Sequence, residues 1–217
     1  LKHGDNTYNG APQYYIVDGT DAPIALTVGG VSRGPTSYTG GSVAQVIANA
    51  SEGYEVLWDY GSKYDVWKVD ASGNFVSKIK AKLWEDEVKF GVDINGDGDT
   101  GLVAVEENGS VHLKHGDNTY NGATQYYIVD GTETIGLTVG GASRGPTSYV
   151  GGSVTHVIAN ASGGYDVLWD YGSKYDVWKV DASGNFVSKI KAKLWEDELK
   201  FGVDINGDGD TGLVAVE

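Results

Sequence analysis

Residues Ile24–Glu106 recur as Ile135–Glu217 at a constant offset of 111, with eight differences over 83 positions. Whatever fold one copy takes, the other must take too, so the chain is a duplicated unit and not one continuous domain. Upstream, Leu1–Thr20 recurs as Leu113–Thr132 at an offset of 112. The frame slips by one residue where Asp21-Ala22-Pro23 becomes Glu133-Thr134, a change that a loop tip tolerates. The expected copies are 1–106 and 107–217, joined without a flexible linker. A period this long suits a whole domain repeated along a chain, not a short solenoid unit. The phase of the repeat leads to the expectation of further copies in a longer parent protein.

Composition narrows what such a unit can be. Thirty-three Gly against four Pro argue for tight turns between ordered strands. An aromatic content of 11 %, with 14 Tyr and 6 Trp, is unlike that of a disordered chain. Thirty acidic against 16 basic residues give a net charge of −14, which repels phosphate-rich partners and anionic membrane surfaces. Nucleic acid is therefore excluded as a partner class, and divalent cations are favoured. The absence of Cys rules out disulfides, thiol nucleophiles and Cys-ligated metals. No apolar run approaches the ~20 residues of a spanning helix, so membrane insertion is not expected.

Runs of β-branched and aromatic residues bounded by Gly and Asp predict strands at Gln13–Val17, Pro23–Val28 and Ser42–Ala48. The strongest local signal is Tyr54–Val69, in which Gly61-Ser62 fits a two-residue hairpin turn. That turn pairs Val56 with Trp67 and Glu55 with Lys68. One face then carries Tyr54, Val56, Trp58, Tyr60, Trp67 and Val69, and is the predicted core. The other carries Leu57, Tyr64 and Val66 among charges. Phe75–Ile79 reads as a further strand. Lys82–Phe90 changes character: its good helix formers, with Trp84 and Val88 at i,i+4, predict a short helix. Asn108-Gly109 is a second hairpin signal. The predicted fold class is mainly β: two tandem, near-identical antiparallel β domains, each with a short helix leading into an acidic loop.

That loop is the one sharp chemical motif. Asp93, Asn95, Asp97 and Asp99 alternate with Ile94, Gly96 and Gly98, and Asp204, Asn206, Asp208 and Asp210 repeat the pattern. Oxygen side chains at positions 1, 3, 5 and 7 with Gly at 6 match the spacing of an EF-hand-type calcium loop. Without a cation, carboxylates about 5 Å apart at an effective dielectric near 20 repel by about 3 kcal/mol per pair before screening. Position 12, where a bidentate Glu completes such loops, is Ala104 and Ala215. Candidates for the missing ligand are Glu87 and Glu198, then Glu85, Asp86 and their copies. The predicted cofactor is Ca²⁺, and a bare solvated turn is the competing reading.

The ordered set of Glu107–Leu113, Tyr126–Gly131, Gly53–Trp58, Tyr64–Trp67 with Asp70 and Gly73-Asn74-Phe75, then Glu87, Phe90 and Asp93–Gly98 covers nearly all of a copy. It resembles the tryptophan-rich C-terminal domain first described in a cyanobacterium. The resemblance implies repeated domains of large secreted or cell-surface bacterial proteins, often beside glycine–aspartate calcium repeats. It implies no enzymatic activity. The residues agree: no recurring Ser/His/Asp set, phosphate loop or carboxylate pair across a cleft is legible. The Trp residues are expected in the core, with Tyr38, Tyr60 and Tyr64 as the exposed aromatics. His3, with its copy His115, is expected in a surface turn. The Ser-Arg-Gly-Pro-Thr segments around Arg33 and Arg144 are expected to be plain loops. The resulting expectation is a calcium-binding structural or adhesive repeat module, partnered by neighbouring copies. The alternative is a carbohydrate-binding module that meets polysaccharide or another cell surface through exposed aromatics.

Overall fold

The computed structural model describes residues 1–5, 11–19, 22–50, 53–107, 109–117 and 123–213. Two compact units result, Leu1–Gly101 and Leu102–Glu217. The first contains β1 (Lys2–Asp5), β2 (Pro12–Ile16), β3 (Ile24–Ala25), β4 (Thr27–Val28), β5 (Val31–Ser32), β6 (Ser42–Asn49), β7 (Gly53–Asp59), β8 (Tyr64–Asp70), β9 (Phe75–Lys80) and helix α1 (Leu83–Phe90). The second contains β10 (Val103–Glu106), β11 (Val111–Asp117), β12 (Thr124–Asp130), β13 (Glu133–Gly136), β14 (Thr138–Val139), β15 (Ala142–Ser143), β16 (Ser153–Ala159), β17 (Tyr165–Asp170), β18 (Tyr175–Val180), β19 (Phe186–Lys191) and helix α2 (Leu194–Phe201). All sheets are antiparallel meanders. Their orders are β1-β2-β3, β4-β5 and β6-β7-β8-β9 in the first unit, and β10-β11-β12-β13, β14-β15 and β16-β17-β18-β19 in the second.

The central hairpin forms in the register its turn dictates. Val56 faces Trp67, Glu55 faces Lys68, and Tyr54 faces Val69. Gly61 holds φ at +80°, and its N–H donates to Asp59 Oδ1 at 2.6 Å, closing an Asx-type turn. The predicted core face is the core: Val56, Trp58, Trp67 and Val69 pack with Tyr14, Ile16 and Leu26 from the other strands. Tyr14 and Tyr38 both meet Trp58 edge to face, and Trp67 lies tilted against it.

The opposite face is a second core, which the sequence pattern did not show. Leu57 and Val66 are buried there with Ala81, Phe90 and Ile94, and Leu83 and Val92 pack beside them. The four-stranded sheet is thus covered on both sides, by the small sheets on one and by α1 with the start of the acidic loop on the other.

Helix α1 sits the other way round from its apolar pair. Its buried residues are Asp86, Glu87 and Phe90, while Val88 is 63 % exposed. In α2 the same holds, with Trp195 44 % and Leu199 68 % exposed. Both buried acids have backbone partners, which makes their burial tolerable. The Asp86 carboxylate accepts the Lys82 N–H and so closes the helix N-terminus. Gly91, at φ +65°, ends the helix by donating its N–H to the Glu87 carbonyl at 2.8 Å.

Other expectations need correction. Pro23–Val28 is not one strand: it breaks at Leu26, whose side chain is fully buried and whose N–H donates to the Tyr14 carbonyl at 3.0 Å. His3 and His115 lie on strands β1 and β11, not in a turn. The loop around Arg33 is not plain either. Arg33 exchanges backbone hydrogen bonds with Tyr14 and Leu26, and its guanidinium lies over the Tyr38 ring. Asp21 at the frame slip and Asn108 of the second hairpin signal lie outside the described residues.

The sequence frame of 1–106 and 107–217 and the folded units differ by a strand. Val103–Glu106 leaves the first unit after Gly101 and pairs antiparallel with β11. Folding phase and repeat phase need not coincide, because hydrogen bonding, not sequence identity, assigns an edge strand to a sheet.

Candidate functional site

The acidic loop begins one residue past the Gly91–Val92 exit of α1. Ile94 at its second position is 4 % exposed and sinks into the core under the helix, which anchors the loop by its start. Glu87 holds the rest. This side chain is fully buried. Its Oε1 accepts the N–H groups of Ile94 and Asn95, each at 3.1 Å, and its Oε2 accepts the Gly101 N–H at 3.0 Å. Glu198 repeats the arrangement on Asn206 at 3.2 Å and Gly212 at 3.1 Å. Burial pushes the Glu87 carboxyl above the ordinary Glu range, against the downward pull of the amides from Gly101, Asn95 and Ile94.

Within the loop the side chains fold back on the backbone. Asp93 Oδ1 accepts the Gly96 N–H at 2.6 Å, and Oδ2 accepts the Gly98 N–H at 3.0 Å. Asn95 Oδ1 accepts the Asp97 N–H at 2.8 Å, and Asp97 Oδ1 accepts the Asp99 N–H at 2.9 Å. Asn95 Nδ2 also donates to Asp97 Oδ2 at 3.0 Å. In the second unit Asp204 accepts from Gly207 and Gly209, Asn206 from Asp208, and Asp208 from Asp210. Gly96 and Gly98 take φ of +80° and +96°, a conformation that side chains other than Gly rarely adopt.

The structure thus brings Asp93, Asn95, Asp97 and Asp99 onto one short turn, as the sequence placed them. It does not bring three of their carboxylates onto one point. Among the described residues, no cluster of three or more His, Asp or Glu side chains is arranged to hold a metal ion. The other ligand candidates also have different partners. Glu85 pairs with Lys82 at 2.9 Å, and Asp86 caps the helix. Glu87 is the residue whose role the sequence reading missed: it clamps the loop backbone. The separation of 14 residues between Glu87 and Gly101 leaves no periodic signal to find it by.

By chemistry the donor set suits a hard cation. All four side chains offer oxygen, three are carboxylates, and Asp97 and Asp99 are exposed. Each carboxylate oxygen has two lone pairs, so one accepted N–H does not exhaust it.

A second feature recurs in both units. Val28, Tyr38, Tyr60, Trp67 and Phe75 line an open cleft of about 310 Å³ beside Lys63, Lys78 and Asp65. Its counterpart of about 290 Å³ lies between Val139, Tyr149, Tyr171, Trp178 and Phe186. Tyr38 and Tyr60 are half-buried at this cleft, while Trp58 and Trp67 belong to the core beneath it. The Lys63 ammonium stands 5.1 Å from the Tyr60 ring centre, and Lys78 pairs with Asp65 at 3.3 Å.

A family model described as the tryptophan-rich Synechocystis species C-terminal domain matches residues 7–101 and 120–212. Each match runs to the last glycine of an acidic loop. No curated protein matches the chain.

Proposed function

The chain belongs to this family of tryptophan-rich C-terminal domains, as two tandem copies, and from that premise we propose that each unit is a calcium-stabilised structural module. The parent would be a secreted or cell-surface bacterial repeat protein, in which such units space or attach the surface they cover. The observation that carries the reading is the Glu87 clamp. A buried carboxylate fixes the loop backbone at both ends, and the exposed turn between them holds Asp93, Asn95, Asp97 and Asp99. Those four, with Asp204, Asn206, Asp208 and Asp210, are the residues that would hold the ion. Calcium, when bound, supplies a double positive charge that turns the mutual repulsion of three carboxylates into attraction. Asp93 and Asn95 orient the turn through its own N–H groups, and Ile94 ties its position to the core. Outside the cell, where calcium is abundant, the unit would be stiffer than before export.

The test is thermal unfolding of the whole chain in 10 mM calcium, in 10 mM magnesium and in chelator. For a dissociation constant of ~10⁻³ M, calcium adds about 1.4 kcal/mol per unit. In Asp93→Ala with Asp204→Ala the midpoint should no longer respond to calcium, and it should lie below that of the wild type in chelator because both side chains also accept backbone N–H groups of the loop. An identical midpoint in calcium and chelator rejects the proposal.

A second reading, carbohydrate binding, has one observation in its favour: the aromatic cleft recurs in both units. Aromatic faces stack on the apolar faces of sugar rings, and Lys63 and Asp65 offer polar contacts at the rim. Polysaccharide retention that survives chelator and is lost in Tyr60→Ala with Tyr171→Ala would favour this reading.

A further inference from the structure

We propose that the aromatic clefts of the two units bind acidic sugars. Each cleft would take one uronate residue of a polysaccharide, its carboxylate held by Lys63 in the first unit and by Lys174 in the second. The proposal rests on the carbohydrate reading above and names the class of sugar.

The walls of each cleft are fixed from behind. Tyr60 stacks on the buried Trp58, with ring centres 6.2 Å apart and planes 21° apart. Tyr38 meets Trp58 and Trp67 edge to face at 5.3 and 5.7 Å, and Phe75 meets Trp67 edge to face at 4.9 Å. Tyr171, Tyr149 and Phe186 repeat these contacts on Trp169 and Trp178. Rings already held by a core lose little freedom when a ligand settles on them. Volumes of about 310 and about 290 Å³ are small for ligand pockets and suit a single sugar residue, not a folded partner.

Charge then selects among sugars. The chain has a net charge of −14, yet cations gather at the clefts. Lys63 and Lys78 line the first cleft with Asp65, and Arg33 stands over the Tyr38 ring. Asp65 is taken by Lys78, at 3.3 Å. Lys63 is exposed, stands 5.1 Å from the Tyr60 ring centre and makes no ion pair among the described residues. The second unit repeats the pattern. Lys189 takes Asp176 at 3.0 Å, Lys174 stands 4.9 Å from the Tyr171 ring centre, and Arg144 stands over Tyr149. Both arginines of the chain thus lie against a cleft tyrosine.

An ammonium over an aromatic ring at an exposed site is weakly held, and a carboxylate offers it a stronger, charge-assisted bond. The total charge of the chain does not oppose this. Exposed charges more than ~8 Å away are largely screened at physiological ionic strength, so the sign beside the ligand decides. A neutral sugar would use the aromatic walls and leave Lys63 unused. An acidic peptide would use Lys63 but lacks the C–H face of a pyranose that suits the walls. A uronate uses both, because its carboxylate is carried on the ring. A polymer of such residues offers the same ring to both clefts, which fits their recurrence.

The test titrates the full 217-residue chain with the trisaccharide of galacturonic acid and with its uncharged match, the trisaccharide of galactose. Chelator is present, so that calcium cannot bridge ligand and acidic loop. Two-dimensional ¹⁵N–¹H NMR follows the indole N–H signals of Trp67 and Trp178, the tryptophans that line the clefts. The acidic trisaccharide is expected to shift both signals and to bind about tenfold more tightly than the neutral one. Lys63→Gln with Lys174→Gln should bring the two affinities together. Equal affinities for the unaltered chain overturn the acidic ligand and leave the carbohydrate reading in place. No response to either trisaccharide at about 10 mM overturns both. A preference that survives the double substitution overturns the role of the two lysines. A trimer of glutamic acid that binds as tightly as the acidic trisaccharide overturns the sugar.

Discussion

The Glu87 carboxylate reaches across fourteen residues to accept the Gly101 N–H at 3.0 Å, and by doing so closes the acidic loop from beneath. Three backbone amides share this one side chain, and the side chain is fully buried. A buried carboxylate without partners would be expelled or protonated, so the amides are what keep it in place.

Glu87→Gln tests that clamp. The glutamine keeps one acceptor oxygen but turns an NH₂ group towards an amide that needs an acceptor. The expected loss is about 2 kcal/mol from the first unit, from charge-assisted bonds weakened and one N–H left unpaired. Urea unfolding followed by Trp fluorescence measures it. A midpoint equal to wild type would show that the loop holds its shape without the clamp.

Gly34 tests a close approach. A Cβ built there falls 1.8 Å from the Pro12 carbonyl oxygen, and at the copy Gly145 it falls 1.8 Å from that of Thr124. Neither backbone can yield without disturbing β2 or β12, so Gly34→Ala should cost about 3 kcal/mol. Gly40→Ala is the control: φ is +70° but the space around it is open, so only the left-handed penalty of about 1 kcal/mol applies. If the two variants unfold alike in urea, the crowding at Pro12 does not matter.

The elements that local rules govern were readable from the sequence, and those that depend on distant partners were not. Gly61-Ser62 fixes a hairpin, and with it the pairing of Val56 and Trp67, because turn length alone sets the register. The order of motifs from Glu107 to Gly98 was enough to place the family. The spacing of Asp93, Asn95, Asp97 and Asp99 marked the candidate loop, since only chain neighbours are involved. Helix α1 was placed correctly, but its inner face was not legible: Asp86 and Glu87 are buried, while Val88 of its apolar i,i+4 pair is exposed. Hydrophobic periodicity assumes that carboxylates seek water, and here backbone amides from the helix start and the loop end take the place of water. The second core around Leu57 and Val66 was hidden for the same reason: its cover is a helix whose inward face is acidic.

Asp166 predicts an acid-dependent loss in the second unit. Burial pushes its carboxyl up, but hydrogen bonds from Lys200, Lys179 and Asn160 outweigh burial and hold the group below the ordinary Asp range. A carboxylate depressed on folding contributes stability that is fully present above its unfolded value near pH 4. That contribution disappears as pH falls through the lower folded value. Asp166→Asn should therefore cost about 2 kcal/mol at pH 7, allowing for the partial exposure of both lysines. The gap to wild type should narrow progressively as pH falls below about 4. A gap of constant size across that range would mean that the ion pairs contribute nothing.

His156 predicts a second loss of stability on acidification, set at higher pH, one that its counterpart Gln45 lacks. Burial lowers the His156 pKa from the ordinary His value, and the neighbouring Glu106 carboxylate only partly restores it. Its Nδ1 is buried without a hydrogen-bond partner. The folded chain thus refuses a proton that the unfolded chain accepts near pH 6.5. Stability of the second unit falls as pH drops through that unfolded value and levels off below the folded one. His156→Gln removes this step and leaves the carboxylate titrations untouched. Urea midpoints at pH 8 and pH 5.5 should therefore differ more for wild type than for the variant. The reverse order, or no difference between the two proteins, would place the imidazole in water and not beside β10.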